Sequence, residues 1–256
     1  MEIFHALILG IVQGITEWLP VSSSGHLVVL QNIFGITQPL FFDAVVHFGT
    51  LLAVVLFLRK EIAEILKSAI KMDFMSESGR LVPLALIATV PAAFFGFFFR
   101  DFLERLFYST MAVGIALIIT GIILFLSERK QGSRAVDKKD ALIIGIAQAA
   151  AIVPGISRSG ATISAGLFRG IDKEKAAKFS FLISIPAIAG ALVLESGGTA
   201  STASPVTLLI GGATAFFVGY LSLKMLMKIL IEKKFKNVAY YCWFFGAVII
   251  LASIWS

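Results

Sequence analysis

The stretch QGITEWLPVSSSGH, residues 13–26, places a carboxylate, a proline and three serines inside an apolar segment that begins near residue 3. A second stretch, AAAIVPGISRSGAT, residues 149–162, interrupts another apolar segment in the same way. Irregular backbone at membrane depth is tolerated only where protein buries it or where it lines a water-filled cavity. The two interruptions therefore predict a membrane protein with a polar cavity where they meet.

The composition supports this interpretation. Of the 256 residues, 58% are hydrophobic and 15% are charged, whereas soluble domains are near half apolar and a quarter charged. Six apolar runs approach the roughly 20 residues that cross a bilayer, and two further apolar segments stop at the interruptions. The six runs are residues 41–58, 81–99, 108–126, 176–194, 206–223 and 238–255, and the two shorter segments are residues 3–19 and 141–153. We expect one all-α, polytopic membrane domain over residues 1–256.

The basic residues predict the topology of these spans. Nineteen of the 22 Lys and Arg residues fall in four stretches, residues 59–80, 127–140, 169–178 and 224–236, which the positive-inside rule places in the cytoplasm. The net charge of +6 thus reports topology, and no nucleic-acid partner is expected. Threading the chain gives six transmembrane helices, two re-entrant helical hairpins and two external termini. Residues 60–74 read as an amphipathic helix on the cytoplasmic surface.

An internal repeat links the two interruptions. ALILGIVQGITEWLPVSSSG, from residue 6, aligns with ALIIGIAQAAAIVPGISRSG, from residue 141, at a constant offset of 135. The shared residues include polar ones, Gln13 with Gln148 and a Ser-x-Ser-Gly pattern, which apolar bias does not explain. The threading gives the two segments opposite orientations, each followed by three spans. We therefore expect an inverted-topology repeat, with residues 1–130 as repeat 1 and residues 136–256 as repeat 2, approximately.

Glu17 and Arg158 are the polar residues that most need an explanation. A charge at the bilayer centre costs about 2.5–3.5 kcal/mol even on insertion scales. One interpretation is a structural ion pair between the repeats. The other is that Arg158 binds phosphate oxygens in a fork while Glu17 handles a metal ion or a proton. Both interpretations place the two side chains close together, near helix N-termini that suit an anion.

The other polar residues of the interruptions have two interpretations each. Gln13 lies one helical turn before Glu17, on the same face of the helix. It is either a buried structural amide or part of the site. His26 is a proton carrier or nucleophile, or a satisfied core residue. Ser23 is a nucleophile, a phosphate ligand or a helix cap. Asp43 and His47 share a helix face, and we read them as a structural pair.

These motifs resemble the undecaprenyl-diphosphate phosphatase family, also called the bacitracin-resistance family. QGITEWLPVSSSGH is similar to the family's acidic motif followed by P-x-S-S-[S/T]-G-H, and PGISRSGAT to its P-G-x-S-R-S-G-x-T. The resemblance implies removal of the terminal phosphate from a C55 isoprenoid diphosphate, which recycles the carrier lipid of cell-wall glycan synthesis. It also implies a divalent cation, Mg²⁺ or Ca²⁺, and a site open to the outer face of the plasma membrane.

The resemblance also assigns roles by position. Glu17, Ser23, His26 and Arg158 would be catalytic, with Glu17 also a metal ligand. The substrate-binding set would be Gln13, Ser22, Ser24, Gly25, Ser157, Ser159, Gly160 and Thr162. Gln13 is the amide option at a position that is often Glu, so Glu17 should be the only essential carboxylate. The expected partners are a polyprenyl diphosphate and the lipid bilayer. A second copy of the chain, forming a homodimer, is a further partner that we consider.

Two alternatives stay open at this stage. Ser23, His26 and an activated water are all candidates for the nucleophile. The rival class of protein is a secondary transporter or lipid flippase, because inverted repeats and broken helices are transporter features too. Fold alone does not decide between an enzyme and a transporter, whereas release of phosphate from a polyprenyl diphosphate does.

Overall fold

The computed structural model describes residues 1–36, 40–99, 106, 109–130, 132–195 and 204–255. Within these residues the chain forms eleven long helices and no β-strand apart from one isolated bridge between Arg134 and Ile171. The helices are α1 Ile3–Trp18, α2 Ser23–Ile33, α3 Leu40–Phe57, α4 Arg59–Ile70, α5 Leu81–Phe98, α6 Thr110–Ser127, α7 Lys138–Ala150, α8 Arg158–Phe168, α9 Lys173–Glu195, α10 Pro205–Ile231 and α11 Phe235–Trp255.

Five of the described helices are long and apolar enough to cross a membrane: α5, α6, α9, α10 and α11. Helix α3 and helix α4, which follows it after a bend of 77°, make a sixth candidate if the bent pair is counted as one span. These helices lie in the predicted apolar runs, and the all-helical, multi-pass prediction is confirmed. Parts of the three connections predicted to face outward, residues 37–39, 100–105, 107 and 196–203, lie outside the described residues.

Helix α4 differs in character from the spans on either side of it. It contains charged residues in both its first and last turns, and none of its residues is buried. Because it turns away from α3 at a break of one residue, it leaves the direction of the span. Its position matches the amphipathic helix predicted for residues 60–74, although the helix ends at Ile70, where a turn capped by Asp73 follows.

Small residues let the spans approach closely. A Cβ added to Gly10 or Gly14 of α1 would lie 2.6 Å from the Gly211 carbonyl oxygen or 2.8 Å from the Gly219 nitrogen of α10. A Cβ at Gly145 of α7 would lie 2.6 Å from the carbonyl oxygen of Ala88 in α5. Lipid is as apolar as a leucine side chain, so such interfaces depend on close van der Waals packing. The first half-helix of each interruption, α1 or α7, thus packs on a span from the other half of the chain.

The core surrounds the two interruptions. Trp18, at the end of α1, is fully buried and packs edge-on against Phe181 of α9 with ring centroids 5.6 Å apart. Ile163 and Leu167 of α8 belong to the same cluster of buried side chains. The chain breaks therefore lie inside protein, which satisfies the condition for irregular backbone at membrane depth.

Candidate functional site

The first interruption with the helix ends beside it, residues 13–26, we call break 1. Helix α1 ends at Trp18 and α2 begins at Ser23, with Ser22 as its N-cap at φ +67°. The Ser22 hydroxyl oxygen accepts from the backbone N–H of Gly25 at 3.4 Å and from that of Gly155 at 3.2 Å. A non-glycine residue at positive φ costs free energy, and these two hydrogen bonds hold it there. Ser22 thereby joins the two interruptions directly.

The second interruption with the helix ends beside it, residues 148–161, we call break 2. Ser157 caps α8, and its hydroxyl oxygen accepts from the backbone N–H of Gly160 at 3.1 Å. Gly155 has φ +96°, and a Cβ there would lie 2.7 Å from the Ala116 Cβ, so only glycine fits. Thr120 of α6 donates to the Gly155 carbonyl oxygen and accepts from the Ser157 N–H, both at 3.1 Å. This side chain fixes the backbone just before Arg158.

Glu17 is the centre of the polar contacts between the breaks. Its side chain is 6% exposed and forms an ion pair with Arg158 through Oε1. Its Oε2 accepts from the Ser23 hydroxyl at 2.7 Å and from the Gln13 amide at 3.1 Å. The Nε2 of His47 lies 3.8 Å from the same oxygen. One carboxylate therefore contacts a guanidinium, a hydroxyl, an amide and an imidazole.

Arg158 is held by more than its ion pair. Its guanidinium carbon lies 5.5 Å from the centroid of the Trp18 ring, which is a cation–π distance. Its side chain is 17% exposed, more than that of Glu17. Because Arg158 is also the first residue of α8, its charge adds to the positive end of that helix. The arrangement leaves a partly accessible cation beside two helix N-termini.

These groups face a cavity of about 240 Å³. Its lining contains both polar and apolar residues. The polar lining residues are Thr16, Glu17, Ser22, Ser23, Ser24, His47, Ser157 and Arg158, and the apolar lining residues are Ala151, Ile152, Ile156, Ala187, Ile188, Ala191 and Leu192. The first turns of α2 and α8 contribute to the polar lining, and the first N–H groups of a helix have no partner within it. The cavity therefore suits an anionic group that carries an apolar chain.

His26 is not among the residues that line the cavity. Its Nδ1 lies 2.8 Å from the Ser22 carbonyl oxygen, and its Nε2 lies 2.6 Å from the Tyr241 hydroxyl. Its ring stacks on Phe245 at a centroid distance of 4.3 Å. The imidazole is 8% exposed and is held between α2 and α11. Both ring nitrogens therefore have partners other than a bound substrate.

The predicted site residues separate into two groups. Six line the cavity: Glu17, Ser22, Ser23, Ser24, Ser157 and Arg158. The other six lie behind it: Gln13 bonds to Glu17, Ser159 contacts the Ser157 hydroxyl at 3.3 Å, Gly25 and Gly160 donate to the cap serines, Thr162 contacts the Ser180 hydroxyl at 2.6 Å, and His26 bonds to Tyr241. The residues of this second group do not line the cavity.

Three residues of the site escaped the sequence analysis. His47 was read as a structural partner of Asp43. It does contact the Asp43 carbonyl oxygen at 2.7 Å through Nδ1, but its Nε2 lies 3.8 Å from Glu17 Oε2, and both side chains line the cavity. A histidine in an apolar span was the available signal. Thr120 and Tyr241 gave no signal, because a lone Thr or Tyr is ordinary in a membrane span and neither lies near an interruption in the sequence.

A divalent cation fits this site only as an ion shared with the substrate. The described residues contain no group of three or more His, Cys, Asp and Glu side chains that could hold a metal ion. The oxygens at hand are those of Glu17, the Ser23 hydroxyl and the Gln13 amide oxygen, which is buried without a hydrogen-bond partner. Mg²⁺ is commonly held by one or two carboxylates together with substrate phosphates. Ca²⁺ takes six to eight oxygens, which this set does not supply.

The fold and the site define a class: a multi-pass helical membrane protein in which two helix breaks form a carboxylate–hydroxyl–guanidinium cluster beside an amphipathic cavity. Residues 6–248 match the family described as Bacitracin resistance protein BacA, and this chain belongs to that family.

Individual relatives extend the match over the whole chain. The chain is 46% identical to the "Undecaprenyl-diphosphatase" of Carboxydothermus hydrogenoformans, over 98% of this chain and 97% of the relative. It is 44% identical to the protein of the same name from Desulforapulum autotrophicum, over 98% and 99%. It is 41% identical to that of Methanobrevibacter smithii, over 99% of both.

Proposed function

We propose that this protein hydrolyses undecaprenyl diphosphate, or a closely related polyprenyl diphosphate, to the monophosphate and inorganic phosphate. The observation that carries the proposal is the convergence of Glu17, Ser23 and Arg158 in the lining of a cavity that is otherwise lined in large part by apolar side chains. The relatives named undecaprenyl-diphosphatase support it, because they match almost the full length of the chain. The product would return to cell-wall glycan synthesis as the carrier lipid.

Arg158 binds the terminal phosphoryl group in this mechanism. A guanidinium presents two parallel N–H donors to two phosphate oxygens. Arg158 Nη2 donates to Glu17 Oε1, so a bound phosphoryl group would take the place of this carboxylate contact. The N-termini of α2 and α8 supply further N–H groups for the charge that develops in the transition state.

Ser23 is the nucleophile and Glu17 is its base. The Ser23 hydroxyl already donates to Glu17 Oε2 at 2.7 Å, which is within the distance at which a general base takes a proton. Ser23 Oγ attacks the terminal phosphorus while its proton passes to Glu17, and the P–O bond to the lipid monophosphate breaks. The first proton leaves Glu17 before water attacks the phosphoserine. Water then gives a proton to Glu17, which passes it to Ser23 Oγ as the P–O bond to Ser23 breaks and phosphate is released. The geometry favours Ser23 over His26 because His26 lies outside the cavity lining.

Glu17 and the Gln13 amide oxygen would hold the divalent cation, which neutralises charge on the diphosphate. Mg²⁺ suits this small donor set better than Ca²⁺. His47 contributes an imidazole whose Nε2 lies 3.8 Å from Glu17 Oε2. Its side chain is 28% exposed, so it can carry the proton from Glu17 to water.

The apolar lining residues receive the start of the isoprenoid chain. Ala187 and Ala191 lie one turn apart on α9, and Ile152 and Ile156 of break 2 line the same cavity. A cavity of about 240 Å³ is below the range of about 300–1,000 Å³ usual for drug-sized ligands. It holds a diphosphate and the first part of the chain, while the rest of a C55 chain extends into lipid.

We also propose the finer architecture and orientation: six transmembrane helices, two re-entrant hairpins and an inverted repeat. The packing of α1 on α10 and of α7 on α5 supports the repeat. In the repeat α1 corresponds to α7 and α5 corresponds to α10, so exchanging the two halves turns one helix pair into the other. The distribution of Lys and Arg supports external termini and a cavity open to the outer face. The homodimer stays a prediction, and the mass of the purified protein in detergent tests it.

The test is phosphate release by purified protein from defined isoprenoid diphosphates, with and without a chelator. We expect release from C15 and C55 diphosphates and little release from inorganic pyrophosphate, which lacks an apolar chain. The chelator should reduce the rate, and Mg²⁺ should restore it. A protein that releases no phosphate but moves the intact lipid between leaflets of a vesicle would be a flippase, and the proposal would fail.

A further inference from the structure

His26 has a hydrogen-bond arrangement that assigns the protons on its ring. A carbonyl oxygen only accepts, so the Nδ1 that lies 2.8 Å from the Ser22 carbonyl oxygen must donate. In the neutral ring Nε2 is then the acceptor, and it accepts from the Tyr241 hydroxyl at 2.6 Å. Neither nitrogen is left to take a proton from Ser23 or to attack phosphorus.

The ring is also fixed in place by its neighbours. Phe245 stacks on it at 4.3 Å with an interplanar angle of 16°, and the Tyr241 ring lies nearly parallel at 5.8 Å. Tyr241 and Phe245 are one turn apart on α11. The next residue after Tyr241, Cys242, directs its thiol to the Pro20 carbonyl oxygen at 3.6 Å. Helix α11 therefore holds break 1 at two points, as Thr120 of α6 holds break 2.

The carbonyl that His26 contacts belongs to the peptide between Ser22 and Ser23. Ser22 is at φ +67°, a conformation that needs external support. Its carbonyl oxygen accepts from the His26 side chain at 2.8 Å and from the His26 backbone N–H at 3.4 Å. The orientation of this peptide decides where the Ser23 hydroxyl points. A change in the His26 ring would therefore move Ser23 relative to Glu17.

We infer that Tyr241 is a positioning residue of the active site, which acts through His26 on the Ser22–Ser23 peptide and thereby aligns the Ser23 hydroxyl with Glu17. His26 then serves as a support that donates to this peptide, and it is neither base nor nucleophile. The inference rests on the proposed function for the role of Ser23, but the contact between Tyr241 and His26 can be tested without it.

A double-mutant cycle on phosphate release tests the chain of contacts. Tyr241→Phe removes one hydrogen bond, so kcat should fall about two- to tenfold with KM nearly unchanged. His26→Asn keeps an amide N–H where Nδ1 donates to the Ser22 carbonyl, but provides no base or nucleophile, so activity should stay within about tenfold of the native protein. Tyr241→Phe should have no further effect in the His26→Asn background. Tyr240→Phe is the matched control, because Tyr240 packs against the Phe125 and Trp243 rings and should leave kcat unchanged.

Three outcomes would overturn the inference. A loss of about a thousandfold or more in folded His26→Asn would restore His26 as a catalytic base or nucleophile. Additive effects of the two substitutions, or a Tyr241→Phe rate equal to that of Tyr240→Phe, would remove Tyr241 from the network.

A chemical readout separates this inference from the proposed function. Diethyl pyrocarbonate modifies an imidazole nitrogen that has a free lone pair, and mass spectrometry reports the modification of His26 separately from His5 and His47. We expect slow modification of His26 in the native protein and a rate at least about fivefold higher in Tyr241→Phe, since about one hydrogen bond is lost. Equal rates would contradict the contact, whether or not the protein releases phosphate. Failure of phosphate release together with a faster rate would refute the proposed function and leave the contact standing.

Discussion

Break 1 and break 2 have the same frame and different chemistry. At the offset of 135, Ser22 corresponds to Ser157, and both cap the second half-helix with a hydroxyl that accepts from the glycine three residues on. Glu17, however, corresponds to Ile152, and Ser23 corresponds to Arg158. Break 1 thus contributes a carboxylate and a hydroxyl, and break 2 contributes a cation and the apolar side chains of Ile152 and Ile156. In the proposed mechanism, the repeated frame therefore divides one reaction between its two halves.

The means of bending the chain also differ between the breaks. Break 2 uses Gly155 at φ +96°, whereas the corresponding residue in break 1 is Pro20 and the positive φ falls on Ser22. Ser22 then connects the two by accepting from the Gly155 N–H. A serine at positive φ costs more conformational free energy than a glycine does. Ser22 directly precedes the proposed nucleophile Ser23, and strained backbone is often found at functional sites.

The largest effect is expected at the base of break 1. Glu17→Gln keeps the volume but removes the group that takes the Ser23 proton, so phosphate release should fall at least about a thousandfold. Glu61→Gln, the same change on the surface helix α4, is the control and should leave the rate unchanged. The initial rate of phosphate release measures both. Full activity of Glu17→Gln would contradict the division of labour between the breaks.

The cation of break 2 should give the next largest effect. Arg158→Lys keeps the charge but loses the fork, and we expect a rate loss of at least about a hundredfold, or roughly 2.7 kcal/mol of transition-state stabilisation. Arg169→Lys, at the contact with Asp140, is the matched control. An active Arg158→Lys protein, together with a strongly lowered Tm in Arg158→Ala, would instead assign Arg158 to a structural ion pair.

Much of this arrangement could be predicted from the sequence. Apolar runs of about 20 residues locate spans well because backbone polar groups in lipid must bond within the helix, and a buried charge such as Glu17 needs a partner such as Arg158. What could not be predicted were contacts between distant segments. His47 faces Glu17, Thr120 holds break 2 and Tyr241 holds His26 because of how helices pack, and no local pattern records that. Thr162 matches the motif, yet its hydroxyl contacts Ser180.

A substitution at the bend of break 2 should change the stability of the protein more than its rate of phosphate release. Gly155→Ala forces a Cβ at φ +96° to within 2.7 Å of the Ala116 Cβ, and we expect the free energy of unfolding to fall by about 1–3 kcal/mol. Gly190→Ala on α9, where an added Cβ has open space, is the control and should be neutral or stabilising. Thermal unfolding in detergent compares them. Equal stabilities would show that break 2 can relax to accept a side chain.

The smallest effects on the rate are expected at Gln13 of break 1 and at its counterpart in break 2, Gln148. Gln13→Glu should change the rate by no more than about threefold, because a second carboxylate beside Glu17 can share the cation. Gln148 is buried, and its amide nitrogen and oxygen have no hydrogen-bond partner. Gln148→Leu should therefore keep full activity and raise the free energy of unfolding by about 1 kcal/mol. Loss of activity in Gln148→Leu would show that break 2 carries chemistry that the comparison does not assign to it.

The central claim is that break 1 takes the phosphoryl group covalently while break 2 holds it. The stereochemical course at phosphorus tests this most directly, with a polyprenyl diphosphate whose terminal phosphorus is made chiral by sulfur and an oxygen isotope and with hydrolysis in water of a third oxygen isotope. Transfer to Ser23 and then to water comprises two in-line displacements, so the account predicts thiophosphate with overall retention of configuration. Inversion would mean that water attacks the bound diphosphate in a single step, and it would contradict the role of Ser23 as nucleophile.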